Sequence, residues 1–109
     1  MVENISAKEL DSYVNAPGFM VIDLRTQKEY REGHIKGAVN VPSGEFGRNL
    51  PALSTGLVLY CQRGGMSMAV ARELSRRGYR VKTVVGGIRA YREVGGQAVL
   101  GRQVLTTTP

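Results

Sequence analysis

The chain contains a single cysteine, Cys61, which stands between an apolar run and a helical pattern. The residues from 61 to 67 read CQRGGMS, and Gly64 and Gly65 allow positive φ angles that turn several backbone N–H groups inward. The first turn of a helix leaves N–H groups without partners and carries the positive end of the helix dipole. Such a setting binds anions and favours a thiolate, so the segment predicts a nucleophilic sulfur that needs no histidine.

A lone cysteine after a buried strand is more often an inert core residue than a nucleophile. The strand end, the two glycines and the helix start together favour the reactive interpretation here. Arg63 is either a cation that steers an anionic substrate or a solvated loop residue. Met66 is expected to pack against the core, with an apolar rim for an acceptor as the alternative.

Apolar runs alternate with helical patterns on both sides of this loop. Strands are predicted at FMVIDL (19–24), AVNVP (38–42), LVLY (57–60) and VKTVV (81–85). Helices are predicted from Ser6 and from Thr26, where Glu9 and Glu29 complete capping boxes, and over 67–78. The alternation predicts an α/β fold with a central, mostly parallel five-stranded sheet and helices on both faces.

Ligands of parallel α/β folds bind beyond the carboxyl ends of strands, which is where Cys61 follows LVLY. A short closing helix is predicted in GGIRAYREVG. The segment SGEFGRNLPALSTG is predicted to be irregular and to be pinned to the core by Leu50 and Leu53. For GQAVLGRQVLTTTP a docked strand, a docked helix and a frayed tail all stay open.

Length and composition indicate one globular domain over residues 1–109, and whether this domain belongs to a longer protein stays open. One cysteine excludes an internal disulfide, no apolar run is long enough to span a membrane, and the first residues lack a signal peptide pattern, so we expect a cytoplasmic protein. The net charge of +6 favours anionic ligands. Acids interleave with the basic residues and few aromatics accompany them, so nucleic acid is not expected as a partner.

Three segments stand in order along residues 4–92: VIDLRTQKEYREGHIKGAVNVP, VLYCQRGGMSMAVARELSRRGYRV and VVGGIRAY. They resemble the first signature, the active-site strand, loop and helix, and the closing Gly-Gly-Ile segment of the rhodanese-like domain family. Each segment alone is a weak signal, whereas three in order are specific. Residues 93–109 form a C-terminal extension beyond the resemblance.

The resemblance implies a sulfurtransferase. The Cys61 thiolate would take the outer sulfur of thiosulfate or a related persulfide donor, become a persulfide, and pass the sulfur to cyanide or a thiol. It implies that the anion-binding loop consists of Gln62, Arg63, Gly64, Gly65, Met66 and Ser67. No metal and no organic cofactor is implied. Because the chain has no second cysteine, the acceptor is expected to be an external thiol or a protein.

Three further residues are candidates for supporting roles. Asp23 and Arg25 end the first long strand, and the resemblance makes them organisers of the active-site side, through an ion pair; a surface pair of little energetic value is the alternative. His34, the only histidine, could pair with the cysteine, but a structural role in which it hydrogen-bonds a neighbouring loop is favoured. Tyr91 is predicted to be a buried anchor.

Two other functions compete with sulfur transfer. A cysteine-based phosphatase or arsenate reductase of similar architecture has a longer loop, Cys-x5-Arg, whose arginine grips the oxyanion. Here Ser67 stands at that position and no arginine follows before Arg72, which disfavours this function. The second alternative is a persulfide carrier that docks on a partner protein and turns over few small molecules.

Overall fold

A sheet of five parallel strands forms the centre of the fold. The computed structural model describes residues 2–45 and 50–99. In spatial order the strands are β1 (Val2–Ile5), β6 (Val81–Val84), β5 (Gly56–Tyr60), β2 (Phe19–Asp23) and β4 (Val39–Asn40). Each neighbouring pair is parallel, so the carboxyl ends of all five strands lie along one edge.

The remaining elements surround this sheet. Two short strands, β3 (His34–Ile35) and β7 (Ala98–Val99), pair with each other in antiparallel fashion. The helices of the described residues are α1 (Asp11–Val14), α2 (Gln27–Glu32), α3 (Gly65–Arg76) and α4 (Gly87–Glu93), with 3₁₀ turns at Ala7–Glu9 and Ser43–Glu45. No helix among them is long and apolar enough to cross a membrane.

Strand β5 is buried on both faces and separates two hydrophobic clusters. Leu57 and Leu59 pack in the cluster that contains Ala71 and Leu74 of α3. The alternate residues of β5 pack in the other cluster, together with residues of α4. Successive side chains of a strand point to opposite faces, so the helices cover both faces of the sheet. The predicted α/β fold with a central five-stranded sheet is confirmed.

The capping signals mark the start of α2 at Thr26 and of the 3₁₀ turn Ala7–Glu9 at Ser6. The helix predicted from Ser6 is thus divided into this turn and the four-residue α1. The Thr26 hydroxyl accepts a hydrogen bond from the Glu29 backbone N–H at 3.2 Å, and the Glu29 carboxylate accepts from the Thr26 N–H at 3.0 Å. The Glu9 carboxylate accepts from the Ser6 N–H at 2.9 Å. These reciprocal bonds satisfy N–H groups that a helix start leaves unpaired.

The sequence did not predict β1, which supplies the fifth strand. It is an edge strand whose Glu3 and Asn4 are exposed, so it lacks the apolar run by which the inner strands were recognised. Helix α3 begins at Gly65, two residues before the predicted start.

The structure also tests the predictions for SGEFGRNLPALSTG and for the C-terminal segment GQAVLGRQVLTTTP. The prediction that Leu53 is pinned to the core is wrong, because Leu53 is 56% exposed, whereas Leu50 packs against the cluster on the α3 face. Within GQAVLGRQVLTTTP, the residues Ala98–Val99 form β7; residues 100–109, like 46–49 of the irregular segment, lie outside the described part of the chain.

Candidate active site

Cys61 directly follows β5, so its sulfur lies at the carboxyl edge of the central sheet. The backbone N–H groups of Gly64 and Ser67 point at Sγ, with N–Sγ distances of 3.1 and 3.4 Å. The residue as a whole is only 3% exposed. Two donors that face one sulfur stabilise negative charge on it, because an N–H group presents the positive end of its dipole.

Gly64 gives the loop the sharp turn that brings these donors together. It is the residue before α3 and has a φ of 104°, in the left-handed region that glycine adopts without penalty. A Cβ atom at this position would also lie 3.2 Å from the backbone nitrogen of Gly86. The expectation of positive φ holds for Gly64 only, since Gly65 is the first residue of α3 and does not share it.

The buried Ser67 side chain holds the loop through a hydrogen bond to its backbone. Ser67 is fully buried, and its hydroxyl donates a hydrogen bond of 3.1 Å to the Gly64 carbonyl oxygen. The same residue that directs its N–H at the sulfur therefore also holds the preceding turn. Gln62, Arg63, Gly65 and Met66 are exposed on the outside of the loop.

The backbone carbonyl groups of the loop start are held by α4. The N–H of Ile88 donates to the Cys61 carbonyl oxygen at 3.0 Å, and the N–H of Arg89 donates to the Gln62 carbonyl oxygen at 3.2 Å. The sequence pattern had not indicated this contact. The second glycine of GGIRAY, Gly87, is the signal that could have indicated a close approach of two backbones.

Asp23 and Arg25 form a buried ion pair beside this loop. The Arg25 Nη2 atom lies 2.8 Å from Asp23 Oδ2, and Asp23 and Arg25 are 0% and 5% exposed. The Tyr60 hydroxyl donates to Asp23 Oδ2 at 2.6 Å and accepts from the Ile35 N–H at 3.1 Å. The alternative of an exposed surface pair is therefore wrong. Tyr60 was not among the predicted site residues, although a hydroxyl at the end of a buried apolar run needs a partner and so signals such a role.

The charges of this cluster compensate one another. Burial opposes the charged form of Arg25, but the hydrogen bonds to Asp23 and its negative charge outweigh burial and raise the pKa of the guanidinium. Burial, the charge of Asp23 and the hydrogen bond to it raise the pKa of Tyr60 well above its usual range. The cluster therefore contains a guanidinium cation and a neutral phenol that keeps its proton and donates a hydrogen bond to Asp23.

The ion pair touches the loop through the side chain of Gln62. The Arg25 Nη1 atom lies 3.4 Å from Gln62 Oε1, a long contact at the edge of a hydrogen bond. Around this contact lies a cavity of about 300 Å³, lined by Arg25, Glu29, Glu32, Gln62 and Arg92. The structure thus places Asp23 and Arg25, two of the three predicted supporting residues, beside the loop that follows Cys61.

His34 is buried in β3 and is held by α2. Its Nδ1 atom lies 2.7 Å from the Tyr30 carbonyl oxygen, which can only accept, so Nδ1 carries the proton. Its ring stacks on the Tyr30 ring with a centroid distance of 3.7 Å. These contacts fit the favoured structural interpretation, in which His34 holds neighbouring backbone.

Two loop side chains and one anchor complete the predicted set. Arg63 is exposed, and Met66 is 47% exposed, so the expectation that Met66 packs in the core is wrong. Tyr91 is buried as predicted, and its hydroxyl donates to Asp11 Oδ1 at 2.7 Å. In residues 2–45 and 50–99 no three His, Cys, Asp or Glu side chains are grouped so as to hold a metal ion.

Comparison with known proteins gives the same family from sequence and from structure. The family model "Rhodanese-like domain" matches residues 6–94. The chain is 31% identical over 98 residues to "Thiosulfate sulfurtransferase 16, chloroplastic" of Arabidopsis thaliana, covering 72% of this chain and 78% of that protein. It is 37% identical over 87 residues to "tRNA sulfurtransferase" of Desulfurococcus amylolyticus, covering 79% of this chain. This chain spans only 17% of the length of that second relative.

A solved structure agrees with these matches. The rhodanese-related protein of Thermoplasma volcanium superposes with a TM-score of 0.81 at 27% identity. The superposition covers 90% of this chain and 98% of that one. The described sheet and helices therefore match nearly the whole length of that protein.

Proposed function

Because the chain belongs to the rhodanese-like domain family, we propose that it is a sulfurtransferase that carries a sulfane sulfur as a persulfide on Cys61. The observation that carries the proposal is the pair of backbone N–H groups, from Gly64 and Ser67, that point at Sγ. Both relatives named above are sulfurtransferases, although their names give different substrates. Transfer of sulfur is the chemistry that the two names share.

The proposed reaction has two displacement steps. In the first, the Cys61 thiolate attacks the outer sulfur of thiosulfate; an S–S bond forms to Sγ, the S–S bond of thiosulfate breaks, and sulfite leaves with the electron pair. In the second, a cyanide ion or an external thiolate attacks the outer sulfur of the persulfide. A bond forms between the acceptor and that sulfur, the Sγ–S bond breaks with its electron pair going to Sγ, and thiocyanate or a new persulfide is released from the regenerated Cys61 thiolate.

The loop from Gln62 to Ser67 serves in this proposal as the anion-binding cradle. The N–H groups of Gly64 and Ser67 stabilise the thiolate before transfer and the persulfide anion after it. Arg63, exposed at the loop, attracts the anionic donor. Gln62 and Met66 are exposed on the loop, and the buried pair of Arg25 and Asp23 supports the end of the neighbouring strand. The sulfur is carried covalently, so neither a metal nor an organic cofactor takes part in the proposed steps.

A small donor suits the surroundings of Cys61, which is only 3% exposed. Thiosulfate is the donor to test first, since the thiosulfate sulfurtransferase relative is matched over 78% of its own length, against 17% for the tRNA sulfurtransferase. Nucleic acid is not proposed as a partner. Tyr79 and Tyr91, the aromatics closest to the basic stretches, are buried and offer no stacking platform.

Phosphoryl transfer is less well supported by the same site. The residue at the position of an oxyanion-gripping arginine is Ser67, whose side chain is fully buried and bonded to Gly64. The buried guanidinium of Arg25 is already paired with the Asp23 carboxylate at 2.8 Å. Neither position 67 nor Arg25 therefore supplies the guanidinium that would grip a phosphate inside the loop.

The direct test is intact-mass spectrometry of the reduced protein after incubation with thiosulfate. We expect a gain of about 32 Da, the mass of one sulfur atom, on the wild type and none on Cys61→Ser. Addition of cyanide should remove the added mass and release thiocyanate. The same gain on Cys61→Ser would overturn the assignment of the carrier.

The acceptor distinguishes turnover from a carrier role. Rapid loss of the added sulfur to small thiols supports a turnover enzyme, whereas loss only to a protein thiol supports a carrier. No gain in mass on the wild type, with a thiol that still reacts with an alkylating reagent, would exclude thiosulfate as the donor.

A further inference from the structure

The first turn of α4 is packed directly against the backbone of the sulfur-bearing residue. A Cβ atom built on Gly87 would lie 2.3 Å from the Cys61 carbonyl oxygen and 2.7 Å from the Gln62 carbonyl carbon. Any side chain at this position would overlap with backbone atoms that have no flexible end to move. Gly87 also has a φ of 61°, in the left-handed region. Both observations restrict the position to glycine.

This close approach places two N–H groups of α4 within reach of the loop. Ile88 donates to the Cys61 carbonyl oxygen at 3.0 Å, and Arg89 donates to the Gln62 carbonyl oxygen at 3.2 Å. The two carbonyl groups are therefore directed toward α4. On the other side, the N–H groups of Gly64 and Ser67 are directed at Sγ.

The direction of these peptide groups decides how the loop treats an anion. A carbonyl oxygen near the sulfur repels a thiolate, a persulfide or an anionic donor, whereas an N–H group attracts each of them. By accepting hydrogen bonds from α4, the first two carbonyl groups of the loop are kept from turning toward the sulfur. The orientation of the loop thus depends on an element that begins 26 positions later in the chain, at Gly87.

We propose that Gly87 is a positioning residue for the sulfur site, because it lets α4 hold the Cys61 and Gln62 carbonyl groups away from the anion. The inference rests on the proposed function and deepens it, since it assigns part of the anion selectivity of Cys61 to a residue outside the loop. Gly87 does not touch the reacting atoms and acts only through the backbone of Cys61 and Gln62.

The test compares the alkylation of Cys61 by an anionic and a neutral reagent in otherwise identical samples. The measured quantity is the rate constant with iodoacetate divided by the rate constant with iodoacetamide. In Gly87→Ala we expect this ratio to fall at least about tenfold, because a shift of the loop of about 1 Å turns the N–H groups away from the sulfur. A general opening of the protein changes both rate constants alike, so the ratio isolates the effect on charge.

Gly95→Ala is the matched control. Gly95 lies just beyond the other end of α4 and also has a positive φ, of 95°, but a Cβ atom there meets nothing within 4 Å. The strain of a left-handed alanine is therefore present in both variants, whereas the overlap with Cys61 is present in one. We expect the alkylation ratio of Gly95→Ala to stay within about twofold of the wild type.

A second variant separates misfolding from mispositioning. Gly87→Asn keeps the Cβ overlap, but asparagine accepts the left-handed region more readily than alanine does. A lowered alkylation ratio in Gly87→Asn supports the inference even where Gly87→Ala folds poorly. A ratio equal to that of the wild type in a folded Gly87 variant, with only a lowered melting temperature, would overturn it.

The alkylation ratio needs no sulfur donor, so the two proposals fail separately. A wild type that takes no sulfur from any donor refutes the proposed function and leaves the measurement on Gly87 valid. A wild type that forms the persulfide, together with Gly87 variants that have an unchanged alkylation ratio, refutes the positioning role alone.

Discussion

Two adjacent residues at the end of β5 belong to regions that are built in different ways. Cys61 is surrounded by backbone groups, the N–H groups of Gly64 and Ser67. Tyr60 is surrounded by side chains, the buried pair of Asp23 and Arg25. We call the surroundings of Cys61 the backbone-built region and those of Tyr60 the side-chain-built region. Because successive residues of a strand point to opposite faces, the two regions lie on opposite faces of the sheet.

The difference between the regions predicts how each responds to substitution. Backbone N–H groups are present whatever the side chains are, so the sulfur site depends mainly on loop geometry. In the charged cluster each polar group satisfies another, and the loss of one leaves its partners buried without compensation. We therefore expect substitutions in the cluster to lower stability strongly and substitutions near the sulfur to change chemistry more than stability.

The largest effect is expected for Asp23→Asn. The substitution keeps the size of the side chain but removes the charge that compensates buried Arg25. Breaking a buried ion pair by removing one partner lowers the free energy of unfolding by about 3–5 kcal/mol. Urea denaturation, followed by the far-ultraviolet circular dichroism of the helices, measures it.

An exposed acid–arginine pair provides the control for this prediction. Glu73 pairs with Arg76 at 2.8 Å, but both side chains are largely in solvent. Since water screens such a pair, Glu73→Gln should leave the urea midpoint almost unchanged. Equal shifts in Glu73→Gln and Asp23→Asn would contradict the distinction between the two kinds of ion pair.

A smaller loss is expected for Tyr60→Phe. The variant removes the hydroxyl that donates to Asp23 and accepts from the Ile35 N–H, which leaves both groups buried without that partner. The expected decrease in the free energy of unfolding is about 1–3 kcal/mol. Persulfide formation on the neighbouring Cys61 should stay within about threefold of the wild type, because its donors are backbone N–H groups on the other face.

Tyr91→Phe is matched to this variant in chemistry and differs in surroundings. The Tyr91 hydroxyl also donates to an aspartate, Asp11, but Asp11 is exposed, so solvent can replace the lost hydroxyl as its partner. Tyr91→Phe should therefore lower the free energy of unfolding less than Tyr60→Phe does. A large decrease in persulfide formation in Tyr60→Phe would show instead that the two regions act together.

The local features of the sulfur site could be predicted because the sequence around them contains their causes. The apolar run LVLY, the cysteine that follows it and the glycine at the required turn lie within eight residues, 57–64. The capping boxes of Ser6 and Thr26 likewise depend on residues only three positions apart. Sequence pattern also predicted four of the five strands of the central sheet. Three of them, β2, β5 and β6, contain buried apolar residues, whereas β4 is short and its Val39 is exposed.

The features that could not be predicted depend on contacts between distant parts of the chain. Asp23 is buried because parallel pairing of β2 and β5 sets it beside Tyr60, 37 positions away. Gly87 lies close to the Cys61 backbone because α4 packs against the end of the sheet. Sequence spacing shows neither contact. The sequence therefore could not decide whether Asp23 and Arg25 form an exposed surface pair or an ion pair that organises the active-site side.

The smallest effect is expected for Arg63→Ala, at the outer surface of the backbone-built region. Arg63 is exposed and acts in the proposed function by attracting an anionic donor. Its removal should raise the KM for thiosulfate about two- to fivefold, with kcat nearly unchanged, because a screened surface charge acts on encounter more than on the bound state. Steady-state assays with cyanide as the acceptor measure both constants. The difference from the wild type should shrink as salt is added, since salt shortens the range of the charge.

Arg72→Ala supplies the comparison that makes this prediction specific. Arg72 is also an exposed cation, but it lies on α3 two turns beyond the loop. If only the net charge of the protein attracts thiosulfate, the two variants should raise KM equally. A larger and salt-sensitive rise in Arg63→Ala alone would place the attraction at the mouth of the sulfur site, where the backbone-built region opens to solvent. An unchanged KM in both variants would leave the N–H groups of Gly64 and Ser67 as the main source of donor recognition.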